Sequence, residues 1–229
     1  MEAVIKIGGS LAEYPDALRI LCKSIGEMAE KHKFLVVPGG GEFADVVRRI
    51  DKRFSLSALA SHDMAILGMD QFGLLLSELI PDAIAIDSLD EEIDCLQSKV
   101  VPVFLPSKMM FREEQLEASW DVTSDSIAAE VAYYLESRRL ILAKDVDGLF
   151  SADPKKDHDA RLIHRISVSA LSRSPERNVV DPFLPQILMG KNIDCYIVNG
   201  LFPERIRHLL DCRETTCTLI TTMPSDCNQ

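Results

Sequence analysis

Short β-branched runs alternate with longer stretches of helical spacing along most of the chain, and this alternation confines it to an α/β fold with a largely parallel sheet. Residues 3–7 read as a strand. Leu18, Leu21, Cys22, Ile25 and Met28 then fall at helical spacing, and residues 34–37 form the next apolar run, completing one βαβ unit. Helical patterns follow over residues 42–53 and 57–80, then strand candidates over 83–86 and 100–104. A further helix is expected over residues 124–136, with Ile127, Ala128, Val131 and Leu135 on one face, leading into a buried strand over 140–143. The end of the chain reads as helix, strand 195–198, a turn at Asn199 and Gly200, helix 203–210 and strand 216–221. Proline-containing segments at 102–106 and 182–185 are expected to interrupt elements, but neither resembles a flexible linker. The chain has 229 residues, 47% of them hydrophobic, enough for one large core, and any two lobes are expected to share one continuous sheet.

The formal charge of −11 argues against nucleic acid or an anionic membrane surface as the main partner, so any anionic ligand must be held by local features. The six cysteines form no C-x-x-C pair, and several lie in apolar segments, which fits reduced thiols. The chain starts directly in a strand-like stretch with no basic leader, and no apolar run approaches the roughly 20 residues that span a bilayer. A cytoplasmic location is expected.

Two strand candidates end in glycine clusters, Gly8-Gly9-Ser10 and Gly39-Gly40-Gly41. A strand that ends in glycines and feeds a helix brings backbone N–H groups close to an anion, so two such turns suggest two phosphate groups. Lys6, near the end of the first strand, can reach the space between them and neutralise transferring phosphoryl oxygens. Read alone, Lys6 is more simply a surface lysine of an edge strand; the neighbouring glycines favour the functional role. The stretch G-G-G-E-F-A at residues 39–44 fits the dinucleotide fingerprint formally, but residues 59–68 read as helix where that fingerprint requires a second strand. No Walker A motif is present.

Arg48, Arg49, Lys52 and Arg53 form a basic cluster able to bind an acceptor phosphate or carboxylate, with a solvated helix face as the even alternative. His62, Asp63, Met69 and Asp70 can line an acceptor pocket, although a lone helical histidine is more often structural. Thr123 or Ser124 is a natural N-cap, and capping does not account for Asp121 and Asp125; near a phosphate cradle Asp125 can orient Lys6. The loop of residues 144–154 (K-D-V-D-G-L-F-S-A-D-P) follows the carboxyl end of a buried strand, where open α/β sheets bind ligands. No histidine or cysteine spacing matches a metal site, so magnesium carried by a nucleotide is the one metal expected.

The segments V-I-K-I-G-G-S at 4–10, V-V-P-G-G-G-E-F at 36–43, D-V-T-S-D at 121–125 and the loop 143–156 together resemble the amino acid kinase superfamily over nearly the whole chain. The resemblance implies a three-layer α/β/α sandwich with a mainly parallel central sheet, forming a single domain over 1–229. It implies an acceptor-binding lobe at about 1–115 and a nucleotide-binding lobe at about 116–229. It further implies an ATP-dependent kinase with Mg²⁺ on the nucleotide and a small phosphorylated acceptor; separately, exposed sheet edges or an apolar helix are expected to make a homo-oligomer. By the same resemblance Lys6, Gly8, Gly9 and Ser10 form the ATP phosphate site, and Gly39, Gly40 and Gly41 separate the transferring phosphate from the acceptor. Asp125 organises lysines, Lys144, Asp145, Asp147, Gly148, Phe150, Asp153 and Pro154 form the nucleoside pocket, and Arg49, Asp70 and Thr123 contribute to the acceptor side.

One departure is Gln186, in V-V-D-P-F-L-P-Q-I-L at 179–188, where many members place a second phosphate-binding lysine; Lys191 is a possible substitute. The V-V-D pattern and the 143–156 loop resemble uridylate kinases, which favours a phosphate over a carboxylate acceptor. Together with S-H-D-M-A-I-L-G-M-D-Q at 61–71, the chain is most similar to the archaeal-type kinase family of methanofuran biosynthesis. That similarity implies 5-(aminomethyl)-3-furanmethanol phosphate as acceptor, with Asp70 or Asp181 pairing to its ammonium. Uridylate or isopentenyl phosphate kinase activity is the alternative, as is a weakly catalytic ATP-binding sensor or storage protein.

Overall fold

The computed structural model describes all residues except 92–97, 113–117, 153, 155, 174–178 and 223–229. Strand β1 (Ala3–Ile7) is followed by a 3-10 turn (Gly9–Glu13), helix α1 (Pro15–Ala29) and strand β2 (Phe34–Pro38). Helices α2 (Gly41–Phe54) and α3 (Ala58–Leu79) come next, with the Ser57 hydroxyl accepting from the Ala60 amide at the head of α3. Then follow β3 (Ala83–Ile86), β4 (Val101–Phe104), α4 (Ser107–Arg112), α5 (Ser124–Tyr134), β5 (Arg139–Lys144), β6 (Leu149–Phe150), β7 (Leu162–Ile163) and β8 (Arg165–Ser167). The chain continues through α6 (Val168–Arg173), α7 (Leu184–Leu188), β9 (Asp194–Asn199), α8 (Pro203–Leu210) and β10 (Thr218–Thr221).

Eight strands form one sheet in the order β3-β4-β2-β1-β5-β9-β10-β8, and β6 and β7 form a separate antiparallel pair. The sheet is parallel except that β10 runs antiparallel to β9 and carries β8 alongside it. Strands from the first half of the chain fill one side and strands from the second half the other, meeting where β1 pairs with β5. Both faces are covered, which is why β1 and β2 are buried at every position and, Lys6 apart, read as apolar runs.

The period of two along each strand sorts side chains between two cores. Val4, Leu35, Val37, Leu140 and Leu142 pack with α5 and α7, whereas Ala3, Ile5, Ile7, Val36, Ile141 and Ala143 pack with α1 and α8. Helix α3, 22 residues long, contributes to both, through Ile66 and Met69 on one side and Phe72 and Leu76 on the other. Lys6 shares its face with Val4, and Lys144 shares its face with Leu142, so both lysines point toward the layer that holds α5.

The prolines depart from expectation. Pro102 lies within β4 in register with Ile84, and Pro185 falls in the first turn of α7, where its missing N–H has no helical partner to lose. The short elements between residues 149 and 173 were hidden in the sequence because none is long enough to show a period.

A buried carboxylate ties the α5 layer together. Asp181 Oδ2 accepts from the Thr123 amide and hydroxyl and the Ser126 amide; its Oδ1 accepts from the Ser126 hydroxyl and the Phe183 and Leu184 amides. One side chain therefore satisfies orphan amides at the heads of both α5 and α7. Replacing Asp181 with Ala strands buried donors and is expected to cost roughly 3 kcal/mol or more, with Asn retaining part of the loss. Urea unfolding reads this directly; an unchanged midpoint for the Ala variant would remove Asp181 from this role.

Candidate active site

The two glycine turns meet backbone to backbone at the carboxyl ends of β1 and β2. A methyl group on Gly9 would lie 2.0 Å from the Gly41 nitrogen, and one on Gly39 would lie 2.6 Å from the Gly9 nitrogen. Gly41 has φ of +54°, so it supplies the left-handed turn as well as the close approach. The amide of Gly8 donates to Ala143 O and that of Gly39 to Ile7 O, which locks both turns onto the sheet.

Below these turns lies a three-residue charge cluster. Lys6 Nζ is 2.8 Å from Asp125 Oδ1, and Lys144 Nζ donates to Asp125 Oδ2 at 2.7 Å. The side chains of Lys6 and Asp125 are only 5% and 3% exposed, and that of Lys144 is 15% exposed, so solvent screens the cluster weakly. Strand alternation puts both lysines on one face, and the start of α5 carries Asp125 to a point between them. The Asp125 carboxylate also sits in the first turn of α5, where the helix dipole favours a negative charge.

Burial opposes the charge on Asp125, but Lys144 and Lys6 outweigh it and hold the carboxyl far below the usual carboxylate range. Burial pulls the Lys6 ammonium below the ordinary lysine value; Asp125 opposes that shift and Lys144 adds to it. Burial raises Asp181, the Asp125 charge adds to the rise, and its hydrogen bonds to Ser126 and Thr123 oppose it. Two ammonium groups thus share the Asp125 carboxylate and line the cleft beside the glycine turns.

A cleft of about 390 Å³ opens over this cluster. Lys6, Gly8, Gly9, Ser10, Gly40, Gly41, Thr123, Lys144 and Asp145 line it, and Asp125 lies behind the lysines. The Ser10 hydroxyl donates to Asp145 Oδ1 at 2.8 Å, closing one end. Two helices give the opposite wall. Gly41, Ala44, Asp45 and Arg48 of α2, and His62, Ala65, Ile66 and Met69 of α3, each follow the i, i+3, i+4, i+7 stripe of one helical face. Trp120 and Val122 complete that wall.

Several expected residues lie elsewhere. Arg49 is exposed and does not line the cleft; Arg48, one residue earlier and in phase with Ala44, does. Asp70 does not line the cleft: its Oδ1 accepts from the Ser107 amide, and burial raises its carboxyl while the Ser107 hydrogen bonds oppose the rise. Asp181 spends both oxygens within the protein, so neither Asp70 nor Asp181 reaches a ligand in the cleft as the ammonium partner.

Asp147 accepts from Asn199 Nδ2 and pairs with Arg205; burial works against its charge, but these partners leave its carboxyl below the ordinary value. Gly148 is buried with φ of +147°, tight against Thr218, and Phe150 sits on β6, so neither lines the cleft. Gly39 buttresses the turn from behind. Pro154 is exposed, and Asp153 lies outside the described residues. Gln186 is exposed on α7, and Lys191 donates to Glu130 at 2.9 Å and lies over Tyr133, so Lys144 provides the second ammonium beside Lys6.

Sequence reading passed over Trp120, the one tryptophan of the chain, although it stands just ahead of the D-V-T-S-D segment. Among the described residues no group of His, Cys, Asp and Glu is placed to hold a metal ion, and no helix is long and apolar enough to cross a membrane.

The chain belongs to the amino acid kinase family, whose model matches residues 1–199. It is 33% identical to the (5-(aminomethyl)furan-3-yl)methyl phosphate kinase of Methanocaldococcus jannaschii, over 95% of this chain and 96% of that one. The crystal structure of uridylate kinase from Archaeoglobus fulgidus superposes with a TM-score of 0.76 at 24% identity, covering 96% of this chain and all of the other. An isopentenyl phosphate kinase product complex from T. acidophilum gives 0.64 at 21% identity, again over 96% of this chain.

His62 is buried in the cleft wall, and burial lowers its pKa despite opposing contributions from the Ser119 backbone and Asp63. A lowered folded value means that the unfolded chain takes up the proton first. The stability this neutral imidazole contributes is therefore present above about pH 6.5 and is lost as pH falls through the folded value. The drop in urea midpoint between about pH 7 and about pH 5 should be smaller in His62→Gln than in the wild type; identical drops would show that His62 takes up its proton freely.

Proposed function

We propose that the protein transfers the γ-phosphoryl group of ATP to a phosphate oxygen of a small phosphate monoester. The acceptor we assign is 5-(aminomethyl)-3-furanmethanol phosphate, and the product its diphosphate. The observation that carries this reading is the cluster of Lys6, Asp125 and Lys144 beneath two glycine turns, which presents two ammonium groups to transferring phosphoryl oxygens. The relationship to the furan phosphate kinase supports the choice of acceptor.

The residues suit MgATP. Glycine amides approach without intervening side chains, two ammonium groups await negative charge, and Mg²⁺ bound through phosphate oxygens needs no protein cage. When bound, MgATP supplies the phosphoryl group and screens its charge. Lys6 and Lys144 stabilise the phosphoryl oxygens as the bond from phosphorus to the ADP oxygen breaks and the bond to the acceptor oxygen forms. Asp125 fixes both ammonium groups before the reaction, so little reorganisation is needed. The acceptor phosphate is already ionised near neutral pH, and no proton has to be removed. Gly8, Gly9 and Ser10 are assigned to the ATP phosphates, and Gly40, Gly41 and Thr123 to the acceptor side.

UMP is the alternative acceptor, favoured by the superposition on uridylate kinase. Lys144, paired with Asp125, supports the catalytic reading over a sensor or storage protein by supplying a second cation beside Lys6. We also assign a cytoplasmic location and a homo-oligomer; Leu67 and Leu74, one heptad apart on α3, and Ile84 on the edge strand β3 are exposed, which supports the oligomer.

Phosphorus NMR with MgATP and the furan phosphate, UMP and isopentenyl phosphate in parallel identifies the acceptor, a new diphosphate signal from the furan alone being the expected result. Lys6→Met is expected to lower kcat by roughly 10²- to 10³-fold, the scale of losing one oxyanion donor. A kcat within threefold of wild type in the folded variant would remove Lys6 from the chemistry.

A further inference from the structure

The cleft wall opposite the lysines contains an arrangement that phosphoryl transfer alone does not require. Asp51 lies one turn beyond Arg48 on α2, and both its oxygens are used: Oδ1 accepts from the Leu56 amide at 3.2 Å and Oδ2 from the Trp120 indole N–H at 3.0 Å. The indole is therefore fixed from below. Its ring carries the Arg48 guanidinium 4.8 Å from the centroid, and Arg48 also donates to Asp45 Oδ1 at 2.6 Å. A cation held over an aromatic face near the surface gains little more than the entropy lost in ordering an arginine, so stability alone gives little reason for the stack. The adjoining wall is apolar, formed by Ala65, Ile66, Met69 and Val122 around His62.

We propose that Trp120, pinned by Asp51 and carrying Arg48 on its face, selects the acceptor: Arg48 holds the acceptor phosphate and the indole edge with its apolar surroundings receives a small, flat body. The assignment rests on the phosphate-acceptor reading of the cleft and deepens it by naming the acceptor class, a planar ring bearing a phosphate monoester. Arg48 touches the acceptor directly. Asp51 is a positioning residue, acting through the indole, because neither of its oxygens is free for a ligand.

Because Trp120 is the only tryptophan, its fluorescence reports on this wall without turnover. In the wild type, titrating the acceptor that is turned over, with MgADP present, should change Trp120 emission along a saturable curve. Trp120→Leu and Arg48→Gln should raise the acceptor KM at least tenfold while the ATP KM moves less than twofold. Trp120→Phe, which keeps a ring but loses the anchor, and Asp51→Asn should share a smaller rise of the same selectivity. An acceptor KM within twofold of wild type in Trp120→Leu, or equal rises for ATP and acceptor, would overturn the proposal. The two readings fail separately: turnover of UMP or isopentenyl phosphate but not the furan phosphate rejects the assigned acceptor. If the acceptor then favoured is isopentenyl phosphate, which has no ring, the planar class is rejected as well.

Discussion

One carboxylate holding two ammonium groups is the interaction on which the rest of this site depends. Asp125 is nearly inaccessible, and a buried charge of that kind is tolerated only when its partners are close and well oriented. The fold meets that demand with elementary means. Strand alternation puts Lys6 and Lys144 on one face of adjacent parallel strands, and the first turn of α5 delivers Asp125 between them. Asp181 in turn fixes that first turn by satisfying its amides from α7. Removing Asp125 leaves two ammonium groups facing one another, whereas a bound phosphate gives them a further counter-charge. The cluster is thus suited to being completed by its ligand.

The glycine turns depend on the same principle of close approach. Their backbones approach so closely that a Cβ on Gly9 or Gly39 would collide with the other turn, so the glycines bring backbone amides to the cleft beside the lysine side chains. Loops that carry this much function are held by few bonds, here from Gly8 to Ala143 and from Gly39 to Ile7. The strands supply rigidity and the glycines supply access.

Much of this was legible in sequence where a pattern is local. Lys6, β1 and the glycines after it lie within a few residues of one another, and so do β2 and its own glycine cluster. Phase on a helix goes part of the way: Gly41, Ala44, Asp45 and Arg48 fall on one face, but Arg49, four residues after Asp45, and Asp70, four residues after Ile66 on α3, border the same faces, and only the packed cleft separates them from its lining. What no local pattern carries is pairing across the chain. Asp181 reads as a free acid until its partners at Thr123 and Ser126 are seen, and Asp147 reads as a ligand until Asn199 and Arg205 claim it. Trp120 has no periodicity at all; it matters because Asp51, distant in sequence, orients it.

The most direct test is kcat of Asp125→Asn at saturating MgATP and acceptor, in a protein whose unfolding remains cooperative. The substitution keeps shape while removing the charge that organises both lysines. A fall of roughly a hundredfold or more is expected if their fixed positions supply the transition-state stabilisation. A kcat within threefold of the wild type would contradict the central role given to this carboxylate.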